Sequence, residues 1–69
     1  MFDISDIQQI KVICDKQSIS QAAKVLNVSQ STLSKRVARL EHVLKAKLFH
    51  RSPQGLIPTS AALYIVESA

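Results

Sequence analysis

The chain of 69 residues is short of most of what builds chemistry. It has one Cys, so no disulfide can form within it. That Cys and two His give no ligand cluster of the kind that holds a structural metal. A domain this small without a disulfide framework points to a reducing, cytoplasmic setting. Gly55 is the one glycine, which excludes a glycine-rich phosphate cradle. No apolar run approaches the roughly 18 residues of a membrane span. The N-terminus lacks the basic region and apolar stretch of a signal peptide. No nucleophile–base pair and no acidic pair stands out, so the sequence does not read as an enzyme. Acidic residues are also few, five against nine Lys and Arg.

What is present is a globular composition, 46% hydrophobic, with a net charge of +4 that is unevenly placed. In residues 1–34, Lys11, Lys16 and Lys24 cancel Asp3, Asp6 and Asp15. The whole excess comes from Lys35, Arg36, Arg39, Lys45, Lys47 and Arg51, set against Glu41 and Glu67. A basic patch this concentrated suits a polyanionic partner; the plainer reading is a solvated basic helix face.

Helix signals divide the first two thirds of the chain. Asp3 can cap a first helix, with Phe2 and Ile7 as a hydrophobic staple. Ile4, Ile7, Ile10, Ile13 and Cys14 repeat at helical spacing, and the helix ends near residue 16. Cys14 falls on the apolar face and reads as a small core residue. Ser18 and Gln21 form a capping box for a second helix whose inner side is Ala22, Ala23 and Leu26. Asn27 tolerates the left-handed conformation that stops a helix. Ser29 caps a third helix, expected over 30–44, with Val28 and Leu33 as a second staple. Two helices separated by so short a turn must meet at a sharp angle.

Leu33, Val37, Leu40 and Leu44 form the core stripe of the third helix. A rotation of about 100° per residue turns Ser31, Ser34, Lys35, Ala38 and His42 outward and puts Arg36 and Arg39 on a flank. Small residues on the outer face let that helix lie close against another surface. Farther on, Leu48-Phe49-His50 and Leu56-Ile57 bracket the turn-rich Arg51-Ser52-Pro53-Gln54-Gly55. This predicts a hairpin, or wing, with Arg51 near its tip. Thr59 can cap a last helix that runs through Leu63 and Val66 to the end of the sequence without a stop signal, as a piece of something longer would.

These residues, QAAKVLNVSQSTLSKRVARLE followed by LFHR and PTSAA, resemble the N-terminal DNA-binding domain of the LysR-type transcriptional regulators of bacteria. Ala22, Ala23, Leu26, Val28, Ser29, Gln30, Leu33, Ser34, Val37, Leu40, Glu41, Leu44, Leu48, Phe49, Arg51, Thr59 and Ala61 fit the family pattern. Lys45 and Ala62 replace its usual glycines, Ser31 a common proline and Lys35 a commoner arginine. With Lys45 in place of glycine, the third helix is free to end differently or to run on.

The resemblance implies a mainly α, winged helix-turn-helix fold: a three-helix core, a small β-hairpin wing and the start of a linker helix. It divides the chain into a DNA-binding domain over 1–58 and the first part of a dimerising linker helix over 59–69. The recognition helix, about 30–44, would enter the major groove of promoter DNA. The wing, about 48–57, would lie on the flanking backbone or minor groove. Gln30, Ser31, Ser34 and Lys35 match the base-reading positions, and their side chains suit base edges. Ser29, Thr32, Arg36, Arg39, Arg51 and Ser52 are the candidates for backbone or wing contact. The plainer alternatives are that Ser29 only caps, Arg39 pairs internally with a carboxylate such as Asp15, and Arg51 makes an ion pair in the hairpin. The resemblance also implies a homodimer or homotetramer at full length, with this piece a monomer or weak dimer. A small-molecule effector would bind a missing C-terminal domain; no cofactor is expected in this chain. The competing reading is a winged-helix protein-interaction module that does not touch DNA, since one fold serves both roles.

Overall fold

The computed structural model describes residues 4–68. The proposed Asp3 cap and the Phe2 half of the first staple lie outside these residues. Four helices and one hairpin follow in order: α1 Ile4–Lys16, α2 Ile19–Leu26, α3 Gln30–Leu44, β1 Phe49–Ser52, β2 Gly55–Pro58 and α4 Ser60–Ser68. This is a winged helix-turn-helix. Its core joins Ile10 and Ile13 of α1, Ala22 and Ala23 of α2, and Leu33 and Leu40 of α3. Leu48, Phe49 and Ala62 complete it from the wing and α4. The alanines of α2 are fully or almost fully buried, which lets the neighbouring helix backbones approach closely.

Both caps around the helix-turn-helix form as the sequence dictates. Ser18 Oγ accepts the Gln21 N–H at 3.3 Å, and Ser29 Oγ accepts the Thr32 N–H at 3.1 Å. Only that half of the Ser18–Gln21 capping box is made among the described residues; the second contact of Ser18 Oγ is with Ser20 Oγ at 3.1 Å. Asn27 turns left-handed at φ 59°, and the Val28 N–H bonds to Ala23 O at 3.0 Å. Those two features end α2 and free the chain to restart at once as α3.

Lys45 does not extend α3. It adopts φ 55°, with its N–H on His42 O at 3.3 Å and the Ala46 N–H on Glu41 O at 3.2 Å. A side chain occupies the left-handed stop that glycine takes at no steric cost. Ala62, the other glycine replacement, is fully buried, so the core accommodates its methyl.

Two features depart from the periodicity. Ile4, assigned to the apolar face of α1, is 74% exposed at the helix start. Gln9, polar by sequence, is buried. Its Nε2 donates to Ser5 Oγ at 3.4 Å, and its Oε1 finds no partner among the described residues. Arg51 lies near the tip of the wing: the antiparallel register pairs it with Leu56, one step inside the last pair, Ser52 with Gly55. Pro53 and Gln54 alone make the turn, because proline supplies the φ of a first turn position and Gly55 supplies the positive φ that follows.

The wing is tied down at its base. Leu48 N–H donates to Glu41 Oε2 of α3 at 2.8 Å. Thr59 N–H bonds to Leu48 O at 2.9 Å, and Thr59 Oγ1 donates to Lys47 O at 2.6 Å. The same Oγ1 accepts the Ala62 N–H at 3.4 Å, which caps α4 as expected.

Candidate nucleic-acid interface

The outer side of α3 carries the predicted readers. Gln30, Ser31, Ser34 and Lys35 are all exposed, as is Ala38 one turn later. Leu33, fully buried, and Leu40, nearly so, hold the opposite side against the core, and this fixes the rotation of the helix. Nothing larger than Ser or Ala stands at 31, 34 and 38, so the helix backbone can come near a docked surface.

The fold gathers some candidates and separates others. Gln30, Ser34, Arg51 and Ser52 meet around a cleft of about 340 Å³. It is walled on one side by α3 and the wing and on the other by the α1–α2 turn and the first residues of α2, Gln17 to Ser20. A second groove, about 420 Å³, continues between α3 and the wing past Ala38 to Lys47 and Glu41, and Ser34 and Arg51 border both. Ser31 and Lys35 lie outside these grooves on the open face. Arg36 and Arg39 stand on the far flank, beside Ser5, Asp6 and Gln9 of α1. The face thus has a groove on the wing side and two guanidinium groups on the other.

The polar hydrogens of several candidates already have work. Ser29 Oγ donates to Thr32 Oγ1 at 2.8 Å besides capping α3, so both hydroxyls serve the helix start. Ser52 Oγ donates to Gly55 O at 2.9 Å and accepts the Gln54 N–H at 3.2 Å, which closes the wing turn. Arg39 forms no ion pair with Asp15, and Arg51 forms none within the hairpin; among the described residues the ion pair is Lys47 with Glu41, at 3.9 Å.

Sequence reasoning missed two contributors. Glu41 fitted a pattern but had no assigned role; its carboxylate anchors the start of the wing to α3. The wall formed by Gln17, Ser18 and Ser20 had no signal, since it depends on how the α1–α2 turn faces a wing far along the chain. Cys14 is half-buried on α1, and burial pushes its thiol up from the ordinary value. It is a packing residue. Among the described residues no group of His, Cys, Asp and Glu can hold a metal ion, and no helix is long and apolar enough to cross a membrane.

A family model described as bacterial regulatory helix-turn-helix protein, lysR family, matches residues 4–63. The HTH-type transcriptional regulator SoxR of Arthrobacter sp. (strain TE1826) is 40% identical over 58 residues, covering 84% of this chain and 20% of that protein. CzcR of Bacillus subtilis (strain 168) is 39% identical over 54 residues, 78% of this chain and 19% of that one. The chain therefore spans about a fifth of the length of the curated relatives it matches. Among solved structures, the CbnR DNA-binding domain in complex with DNA superposes with a TM-score of 0.86 at 25% identity, covering 97% of this chain and 77% of that one. The BenM DNA-binding domain in its complex with benA site 1 DNA shares the fold, with a TM-score of 0.87 at 21% identity, 97% of this chain and 75% of that one. The family match across residues 4–63 follows the helix-turn-helix, the wing and the first turn of α4, and the chain belongs to the LysR family of bacterial regulatory helix-turn-helix proteins.

Proposed function

We propose that this chain is the DNA-reading domain of a transcriptional regulator and binds double-stranded DNA with α3 in the major groove. The observation that carries the reading is the outer face of α3: small, polar and basic, open along its length, with Arg51 of the wing across a groove from Gln30 and Ser34. The DNA complexes of the similarly folded CbnR and BenM domains support it. Gln30, Ser31, Ser34 and Lys35 read base edges; Gln suits adenine and Lys suits guanine acceptors. Arg36 and Arg39 hold phosphates on one side and Arg51 holds the backbone or minor groove on the other. Ser29, Thr32 and Ser52, already bonded within the fold, contribute at most a secondary phosphate contact.

Residues 1–58 form the reading domain, and 59–69 begin a linker helix. Leu63 and Tyr64 are 45% and 72% exposed there, which suits continuation into a dimer interface in a longer protein. That protein acts as a homodimer or homotetramer in the bacterial cytoplasm and answers a small-molecule effector bound by another domain. A lone module buries about 600–1,000 Å² on DNA, so affinity without the dimer is weak.

Titration of labelled duplex DNA across a salt series tests the reading. Binding weakens as salt rises, because phosphate neutralisation releases counterions. Selection from a random pool separates the roles: Lys35→Ala shifts the bases preferred, whereas Arg39→Ala weakens all sequences alike. Salt-independent binding, or no binding to any duplex at low salt, removes the proposal.

A further inference from the structure

We propose that the α1–α2 turn is the gauge that sets how far the wing stands from α3, and that Gly55 and the Gln17 carbonyl are positioning elements for the DNA contact of Arg51. The inference rests on the DNA-binding reading of the wing.

Gln17 is the left-handed residue between α1 and α2, at φ 54°. Its N–H closes α1 on Ile13 O at 2.8 Å. Its carbonyl, on the peptide that leads into the α2 cap Ser18, points across the cleft and accepts the Leu56 N–H of β2 at 2.9 Å. One residue thus ends a helix, precedes the start of the next and holds the wing.

Leu56 is the register partner of Arg51, so this bond fixes β2 directly opposite the arginine. The adjoining Gly55 has φ 121°, and a Cβ there would stand 2.5 Å from the Gln17 oxygen. That oxygen is backbone, so no side-chain rotation relieves the clash; the wing must move away from the turn. Farther out, the bonds of Ser52 to Gly55 O and to the Gln54 N–H make the turn stiff, so displacement at Gly55 carries to Arg51. A two-stranded hairpin has little stability of its own in water, so its placement comes from such ties. The ties at Leu48 and Thr59 hold the base of the wing; the Gln17 bond is the one beside Arg51.

The test uses a random-sequence duplex, fluorescence anisotropy and a salt series, with wild type, Arg51→Ala, Gly55→Ala and the double variant. Folding is checked by far-UV circular dichroism and melting. Arg51→Ala should lower the slope of log K against log salt by about 1, the loss of one cationic contact. Gly55→Ala should lower it equally while Arg51 is still present, and the double variant should bind no more weakly than either single variant. A change that only destabilised the fold would leave the slope of the folded fraction unchanged. Because φ 121° strains an alanine whatever its neighbours, the chain is also synthesised with an ester in place of the amide between Gly55 and Leu56, which removes the donor to Gln17 and only weakens the Gly55 carbonyl as an acceptor, and the same slope loss is expected. If Arg51→Ala lowers the slope and the folded Gly55 variant or the ester does not, or if their effects add to it, the gauge is overturned and the wing reading survives. If Arg51→Ala leaves the slope unchanged, the wing reading itself fails.

Discussion

Replacing Glu41 with Ala should damage this fold more than its position on a helix flank suggests. The Glu41 carboxylate accepts the Leu48 N–H at 2.8 Å, and Leu48 is fully buried. Alanine leaves that N–H without its acceptor, and a hydrogen bond to a charged group contributes about 1.5–3 kcal/mol. The nearby Lys47 pair adds little: its N–O distance is 3.9 Å and the lysine side chain is 77% exposed, the class of contact for which about 0–1 kcal/mol is typical. The expected loss is therefore about 2–3 kcal/mol. A chain of this length has a total stability of roughly 3–10 kcal/mol. At about 4–8 °C per kcal/mol for so small a domain, Glu41→Ala should melt roughly 10–20 °C lower. Glu41→Gln keeps an acceptor oxygen and should lose less than half as much, while Lys47→Ala should change stability by under about 0.5 kcal/mol. Thermal and urea denaturation of the three variants give the comparison. The reasoning is refuted if Glu41→Ala falls within about 0.5 kcal/mol of wild type, or if Lys47→Ala costs as much as Glu41→Ala.

Other expectations are as concrete. Lys45→Gly should raise stability by about 0.5–1 kcal/mol in urea denaturation, since the left-handed turn at φ 55° strains a side chain and glycine relieves it, less its own entropy loss. Leu33→Ala empties a fully buried site on the inner face of α3 and should cost about 2–5 kcal/mol, enough to leave much of the population unfolded at 37 °C by circular dichroism. Burial raises the Cys14 thiol, so the native protein should react with a thiolate-selective disulfide reagent more slowly than the urea-unfolded chain at pH 8, and the native rate should keep rising above the pH at which the unfolded rate levels off.

The helix-turn-helix was legible because its signals are local. Ser18, Asn27 and Ser29 act within four residues of themselves, and the chain stops and starts where they stand. The stripe of Leu33, Val37, Leu40 and Leu44, at three- and four-residue spacing, also orients α3 and so separates inward from outward residues. What could not be read involves partners distant in sequence. Gly55 reads as a turn glycine, and its φ of 121° is that; a second constraint, the carbonyl of Gln17, gave no sign. Glu41 looked like one more charge on a helix, and its use depends on where Leu48 emerges from the chain that follows. The wing was legible, with Arg51 near its tip, but a run of turn-forming residues does not specify which two of them make the loop. Gln9 gave no sign of burial, since spacing predicts which side of a helix faces inward better than how far the neighbouring elements extend over it.

The bond from Leu56 to Gln17 joins residues roughly forty positions apart in a chain of 69. Most other ties in the molecule are between close neighbours, which form quickly and at small entropic cost. This one encloses α2, α3 and half of the hairpin. Closing so long a loop costs more conformational entropy than closing a local turn, so the wing is placed by the first half of the chain as much as by its own strands. A change in how α1 ends is therefore felt at the wing, on the other side of the cleft, although no residue of the hairpin has been altered.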